Sequence, residues 1–256
     1  VSIIIFRSVK AHIEKENWFA VGVDFFIVVV GVFVGLQVEN WNEAQTLDNR
    51  ETELLYELKK EMENSIITTN QKIDSYAQVA AAGKRSLDFL SSNVSCETEC
   101  WAILVDFMHA SQWQALSVKR SSYENMRRIG LPRKSAVVDA VEANHAQVDA
   151  ATAVFSSLPY YREIVRQLIS NEAQLFYWNN YYSLIAGVES YDLNCANGVT
   201  EDSALETVEA IVQHPEIKPH LTKWYGAAAL LAISLDVQNT LAETAIEVIE
   251  AELERR

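Results

Sequence analysis

Backbone punctuation is scarce in this chain of 256 residues, which has 8 glycines and 4 prolines, none of the prolines before Pro132. So few breakers exclude a first half built of short strands and tight turns, and they favour long helices there. Cysteine is also rare. Cys96, Cys100 and Cys195 are too few for a disulfide-built scaffold, though they allow one bridge and one free thiol. The third shortage is positive charge: 21 Lys and Arg against 35 Asp and Glu leave a net charge of -14. Such a surface repels phosphate backbones, so no nucleic-acid partner is expected.

Catalytic signatures are missing as well. There is no GxSxG elbow, no GxxxxGK[ST] phosphate loop, no GxGxxG after a strand and no HExxH. The chain is therefore read as an interaction protein, not an enzyme, with no cofactor and no metal. Glu142 and His145 have the Glu-x-x-His spacing of di-iron bundles, but only one copy is present and such sites need two. His214 and His220 flank a proline-containing turn and are expected to be surface residues.

What the sequence does contain is one long apolar run. Residues 18–38, WFAVGVDFFIVVVGVFVGLQV, hold a single ionisable group, Asp24. As a helix they extend about 32 Å, close to the thickness of a bilayer core. The run is too long for a signal-peptide core, and Glu39-Asn-Trp-Asn-Glu43 follows it where a cleavage site would have small residues. We expect a transmembrane helix over 17–38, a short amphipathic interfacial segment over 1–16 and a helical extracytoplasmic domain over 39–256. Arg7, Lys10 and Lys15 precede the span, whereas Arg50 is the only basic residue in the twenty or so that follow. The positive-inside rule then puts the N-terminus in the cytoplasm and the soluble domain across the membrane.

At about 100° per residue, Asn17, Ala20, Asp24, Gly31, Gly35 and Asn42 fall within roughly 60° of one another. Gly31 and Gly35 form a GxxxG pair that permits close helix approach, and Asp24 is costly against lipid, so this small and polar stripe is expected to face protein. Partners would be other transmembrane helices, its own copies or subunits of a larger membrane complex, with lipid around the remaining faces. Two roles stand for Asp24. The preferred one is a hydrogen-bonded residue that fixes helix association; the alternative is a proton- or cation-coupled subunit in which Asp24 carries the charge.

Beyond the span, no Gly or Pro occurs between Gly35 and Gly83, and Leu47, Leu54, Leu58, Met62, Ile66, Ile73, Tyr76 and Ala80 recur at helical spacing. The transmembrane helix is expected to run on into a long amphipathic helix that packs with a helical bundle. Further helices are expected over 101–113, 122–130, 135–156, 160–186, 203–213 and 220–256, with Cys96 and Cys100 close enough to bridge in the loop before them. The aromatic run Phe176, Tyr177, Trp178, Tyr181, Tyr182 reads as core.

The run Gly22-Val-Asp-Phe-Phe-Ile-Val-Val-Val-Gly31 followed by Leu36-Gln-Val-Glu-Asn-Trp-Asn-Glu43 resembles an uncharacterised family of bacterial single-span membrane proteins. In that family the span carries an early acidic residue, a central glycine and a terminal Leu-Gln-x-x-Asn-Trp-Asn-Glu. Here Asp24 stands where the family usually has Glu, and its preceding glycine lies one residue early, at Gly22. Ser122-Tyr-Glu-Asn-Met-Arg-Arg-Ile-Gly130 and the acidic last helix extend the likeness weakly. The resemblance implies a bacterial inner membrane with a periplasmic domain, and it implies no activity.

Overall fold

The structure is a computed structural model that describes residues 18–92, 94–185, 188–192 and 198–256. About 80% of the described residues are helical. The element order among the described residues is α1 (Trp18–Ser92), α2 (Cys100–Ala110), α3 (Ser121–Arg128), α4 (Ser135–Val154), α5 (Tyr160–Leu168), α6 (Asn171–Asn180), β1 (Tyr182–Ile185), β2 (Val188–Tyr191), α7 (Glu201–Gln213) and α8 (Ile217–Glu254). The chain divides into two compact units, Val1–Glu53 and Leu54–Arg256.

The first unit contains the start of α1. Among its described side chains the apolar stretch is exposed throughout, from Phe25 at 71% and Phe26 at 67% to Leu36 and Val38.

The second unit is organised by α8, which runs antiparallel to α1. Lys59 pairs with Glu250 at 2.7 Å, and the Gln238 amide donates to the Thr69 hydroxyl at 2.8 Å. A Cβ placed on Gly83 would meet Leu221 and Tyr225 at van der Waals distance. α4 also packs antiparallel to α8, because Asn144 donates to the Gln238 carbonyl at 3.0 Å and Gln147 to Ser234. α1 and α8 share two apolar cores, and α4 lines the smaller of them.

One core joins Leu54, Leu58 and Met62 of α1 to Tyr123 and Met126 of α3, Val137 and Val141 of α4, and Ala245 and Ile249 of α8. The larger one gathers Tyr76, Val79 and Ala82 of α1 with α2, α5, α6, the hairpin, α7 and Leu221–Leu235 of α8. Between them lies a polar layer in which Thr69, Asn144, Gln238 and Asn239 are buried. Its hydrogen bonds join α1, α4 and α8, and Asn239 donates to Asn70 at 2.7 Å.

The expected helix over 160–186 is not continuous. Ile169 and Ser170 adopt extended backbone, and the Ser170 hydroxyl accepts from the Ala173 amide at 3.2 Å, so α5 ends and α6 starts on a new N-cap. After Tyr181 the chain forms an antiparallel hairpin in which Tyr182 opposes Tyr191 and Ile185 opposes Val188. Aromatic and β-branched residues favour that pleated geometry. The 101–113 helix also stops early, at Ala110, and α8 starts at Ile217, before the expected residue 220. α3 ends where Gly130 takes a left-handed φ of 79°, with the Leu131 amide donating to the Met126 carbonyl at 2.9 Å. That turn buries Leu131 in the smaller core.

Candidate functional site

The apolar segment of α1 is the candidate interaction surface. Among the described residues α1 is the one helix long and apolar enough to cross a membrane. Unbroken helix from Trp18 onward puts Gly31 and Gly35 one turn apart, with Asn42 two turns beyond Gly35 on the same side. A Cβ built on Gly31 or Gly35 would meet nothing within 4 Å, so backbone is laid bare along this line. Asn42 is exposed, and its carbonyl accepts from the Thr46 hydroxyl at 2.8 Å. Ala20 and Asp24 belong to α1, but their side chains are not among those described; Asn17 and the 1–16 segment lie outside the described residues.

The other residues singled out by sequence have structural partners. Cys96 and Cys100 are joined by a disulfide, with Cα atoms 5.5 Å apart, at the start of α2. Glu99, between them, takes a left-handed φ of 62°. Cys195 lies outside the described residues. Glu142 and His145 both serve Tyr123, whose hydroxyl donates to Glu142 at 2.7 Å and whose ring stands edge-on to His145 at 5.3 Å. Burial and the Glu142 carboxylate push the Tyr123 hydroxyl well up from its ordinary value. His214 accepts from the Glu216 amide, and His220 stands on the Tyr160 ring at 4.6 Å. No group of three or more His, Cys, Asp or Glu with metal-binding geometry occurs among the described residues.

The aromatic run closes on itself. Tyr177 and Tyr181 stack at 5.3 Å and are buried, and Trp101 donates to the Tyr181 hydroxyl at 2.9 Å. The space left beside Trp101, Met108 and Tyr177 is about 10 Å³, room for about one water and for no organic ligand. Beside it lies a set of polar groups that sequence did not single out. His109 is fully buried, its Nδ1 hydrogen-bonded to the Tyr177 hydroxyl at 2.6 Å, and burial pushes the imidazole down to about 4. Arg162 donates to the Ser111 carbonyl at 2.8 Å; Arg166 donates to the Ser111 hydroxyl and to Gln112, both at 3.0 Å, and lies over the Trp178 ring. Burial, and then Arg162, lowers Arg166 to about 9.

Perturbed groups at this density often mark an active site. Here Arg162 and Arg166 fasten Ser111 and Gln112 to α5, and His109 ties α2 to α6. A conserved-looking spacing would not have revealed it, since the partners lie tens of residues apart.

No protein-family model matches the sequence, and no curated protein or solved structure matches the chain. The fold is therefore that of a helical body with, among the described residues, one helix long and apolar enough to cross a membrane, near the N-terminus.

Proposed function

We propose that this chain is a single-span membrane protein that acts by association, packing the Asp24, Gly31 and Gly35 face of α1 against other transmembrane helices. The observation that carries the reading is the exposure of every described apolar side chain of the stretch together with the bare backbone at Gly31 and Gly35. Exposed Phe, Ile and Val at this density are unstable in water, and lipid or apolar helices would cover them. Lipid satisfies most of such a helix, whereas a glycine line gains little from lipid and much from a second backbone.

The partners are copies of this chain or subunits of a larger membrane complex, and the role is structural, not enzymatic. Basic residues before the span and acidic residues after it support a cytoplasmic N-terminus and a soluble body on the far side of a bacterial inner membrane. The experiment is purification in a gentle detergent followed by mass spectrometry of the intact assembly, for the natural chain and for Gly31→Leu/Gly35→Leu. Loss of the assembled species with the helical content unchanged supports the proposal. Co-purification of an unchanged assembly by the double variant overturns it.

A further inference from the structure

α4 and α8 lie side by side, and the strips they turn outward carry no charge. On α8, Gly226, Leu230, Ile233, Val237, Thr240 and Thr244 follow one another at steps of four and three, which keeps them on one helix face, and all are exposed. Leu230 is 59% and Ile233 65% exposed, and a Cβ built on Gly226 would meet nothing within 4 Å. On α4, Ala136, Ala143 and Ala150 recur at seven-residue steps, and Val154 continues the line; all four are exposed, Val154 at 69%. The seam between the strips is marked by the Gln147 amide, which donates to Ser234, with Asn144 and Gln238 buried beneath it. Asp139 and Asp236 stand at the margins of this face.

Exposed branched side chains in a continuous line are costly in water, and interface centres are where charge is depleted. Together the two strips expose on the order of 700 Å², against about 800 Å² per partner in a specific interface of standard size. Charge decides what covers them. A chain with a net charge of -14 repels its own copies, so two copies can meet closely only on a face without acids. A bilayer surface would ask for basic residues around the face, whereas its margins carry Asp139 and Asp236.

We propose that this face pairs two copies of the chain about a twofold axis along the helices, α8 of each lying against α4 of the other. The pairing is isologous, so each contact occurs twice. It sets the small alanine line of α4 against the branched line of the partner's α8, and small residues let the helix axes approach while the branched ones fill the space between. Because α8 runs parallel to its copy, both α1 helices point the same way, as two chains starting in one bilayer require. The face belongs to the second unit, and its pairing does not depend on the span contacts proposed above.

The test is thiol cross-linking between full chains in gentle detergent, with Ala150→Cys and Ile233→Cys chains carrying different tags, co-expressed in a Cys195→Ala background and treated with a short bis-maleimide. A cross-link between the two tags joins separate chains by construction. It is expected for this pair and not for Ala150→Cys with Glu209→Cys, an exposed position on α7. Adding Leu230→Glu, or Ala143→Glu on the other helix, sets acids against each other across the axis and lowers the yield about tenfold or more. Both changes fall on exposed positions, and circular dichroism checks that the helical content is kept. A yield no higher than that of the Glu209→Cys control overturns the proposal, as does a yield that neither glutamate changes. Cross-linking of Ile233→Cys to a different polypeptide alone overturns it too, and assigns the face to that partner.

Discussion

Tyr76 and Gln114 exchange two hydrogen bonds: the Tyr76 hydroxyl donates to the Gln114 carbonyl at 2.8 Å, and the Gln114 amide donates back to the same oxygen at 3.0 Å. One phenol thereby satisfies both backbone groups of a residue in a segment with no secondary structure. The Gln114 side chain completes the attachment by donating to Ser75 and accepting from Lys72.

Tyr76→Phe keeps the ring and strands a buried N–H and C=O together. The expected loss is about 2 to 4 kcal/mol, the sum of two unsatisfied groups. Urea denaturation followed by tryptophan fluorescence measures it, and a loss below about 0.5 kcal/mol would show that the segment is held by other contacts.

His109 gives the fold a pH dependence of defined sign. Folded, its imidazole is held down to about 4; unfolded, it titrates near its ordinary 6.5. Between those values the unfolded chain binds a proton that the folded chain does not, so this residue makes stability fall as pH drops from 6.5 towards 4, by up to about 3 kcal/mol. His109→Gln keeps a partner for Tyr177 and removes the titration. The difference in unfolding free energy between the natural chain and the variant should shrink across that window as pH falls; a pH-independent difference would be evidence against a depressed histidine.

Gly198 lies under the Phe176 ring, and a Cβ there would overlap ring carbons. Phe176 is itself held edge-on by Trp101 at 5.6 Å and by Tyr181. Gly198→Ala should cost about 1 to 3 kcal/mol by overpacking. Pairing it with Phe176→Leu should recover part of that loss, which thermal unfolding of the four proteins of the cycle would read out.

The Cys96–Cys100 disulfide closes a very short loop. The chain-entropy argument gives about 2 kcal/mol for a loop of this size, well under what a long loop yields. Cys96→Ala/Cys100→Ala should therefore remain folded with a modestly lowered midpoint in urea. Complete unfolding of the double variant would mean that the bridge is a condition of folding and not an increment of stability.

Much of the helical skeleton was legible because it depends on local signals. Absence of Gly and Pro between Gly35 and Gly83 is enough to announce α1, and Leu54, Leu58, Met62 and Tyr76 from its apolar stripe are buried as the spacing implies. Leu47 is exposed, because it precedes the point where the compact unit begins. The break at Ser170 had a readable sign, a serine N-cap followed by Glu172, but helix-compatible residues on both sides masked it. The hairpin had only a four-residue strand signal on each side, too short to compete with a helical reading. The contact of Glu61 with the Ser122 amide was not legible at all, because the two residues meet only once α1 and α3 are packed.

The polar layer between the two cores has an evolutionary consequence. Thr69, Asn70, Asn144, Gln238 and Asn239 match up only in one alignment of α1, α4 and α8. Inserting a single residue into α1 between Met62 and Tyr76 would rotate everything after it by about 100°, turning Tyr76 and Val79 away from their core while Leu54 and Leu58 stayed in theirs. Relatives of this protein should therefore vary in length at connections such as the one between α4 and α5, and keep the spacing between the cores fixed in both long helices.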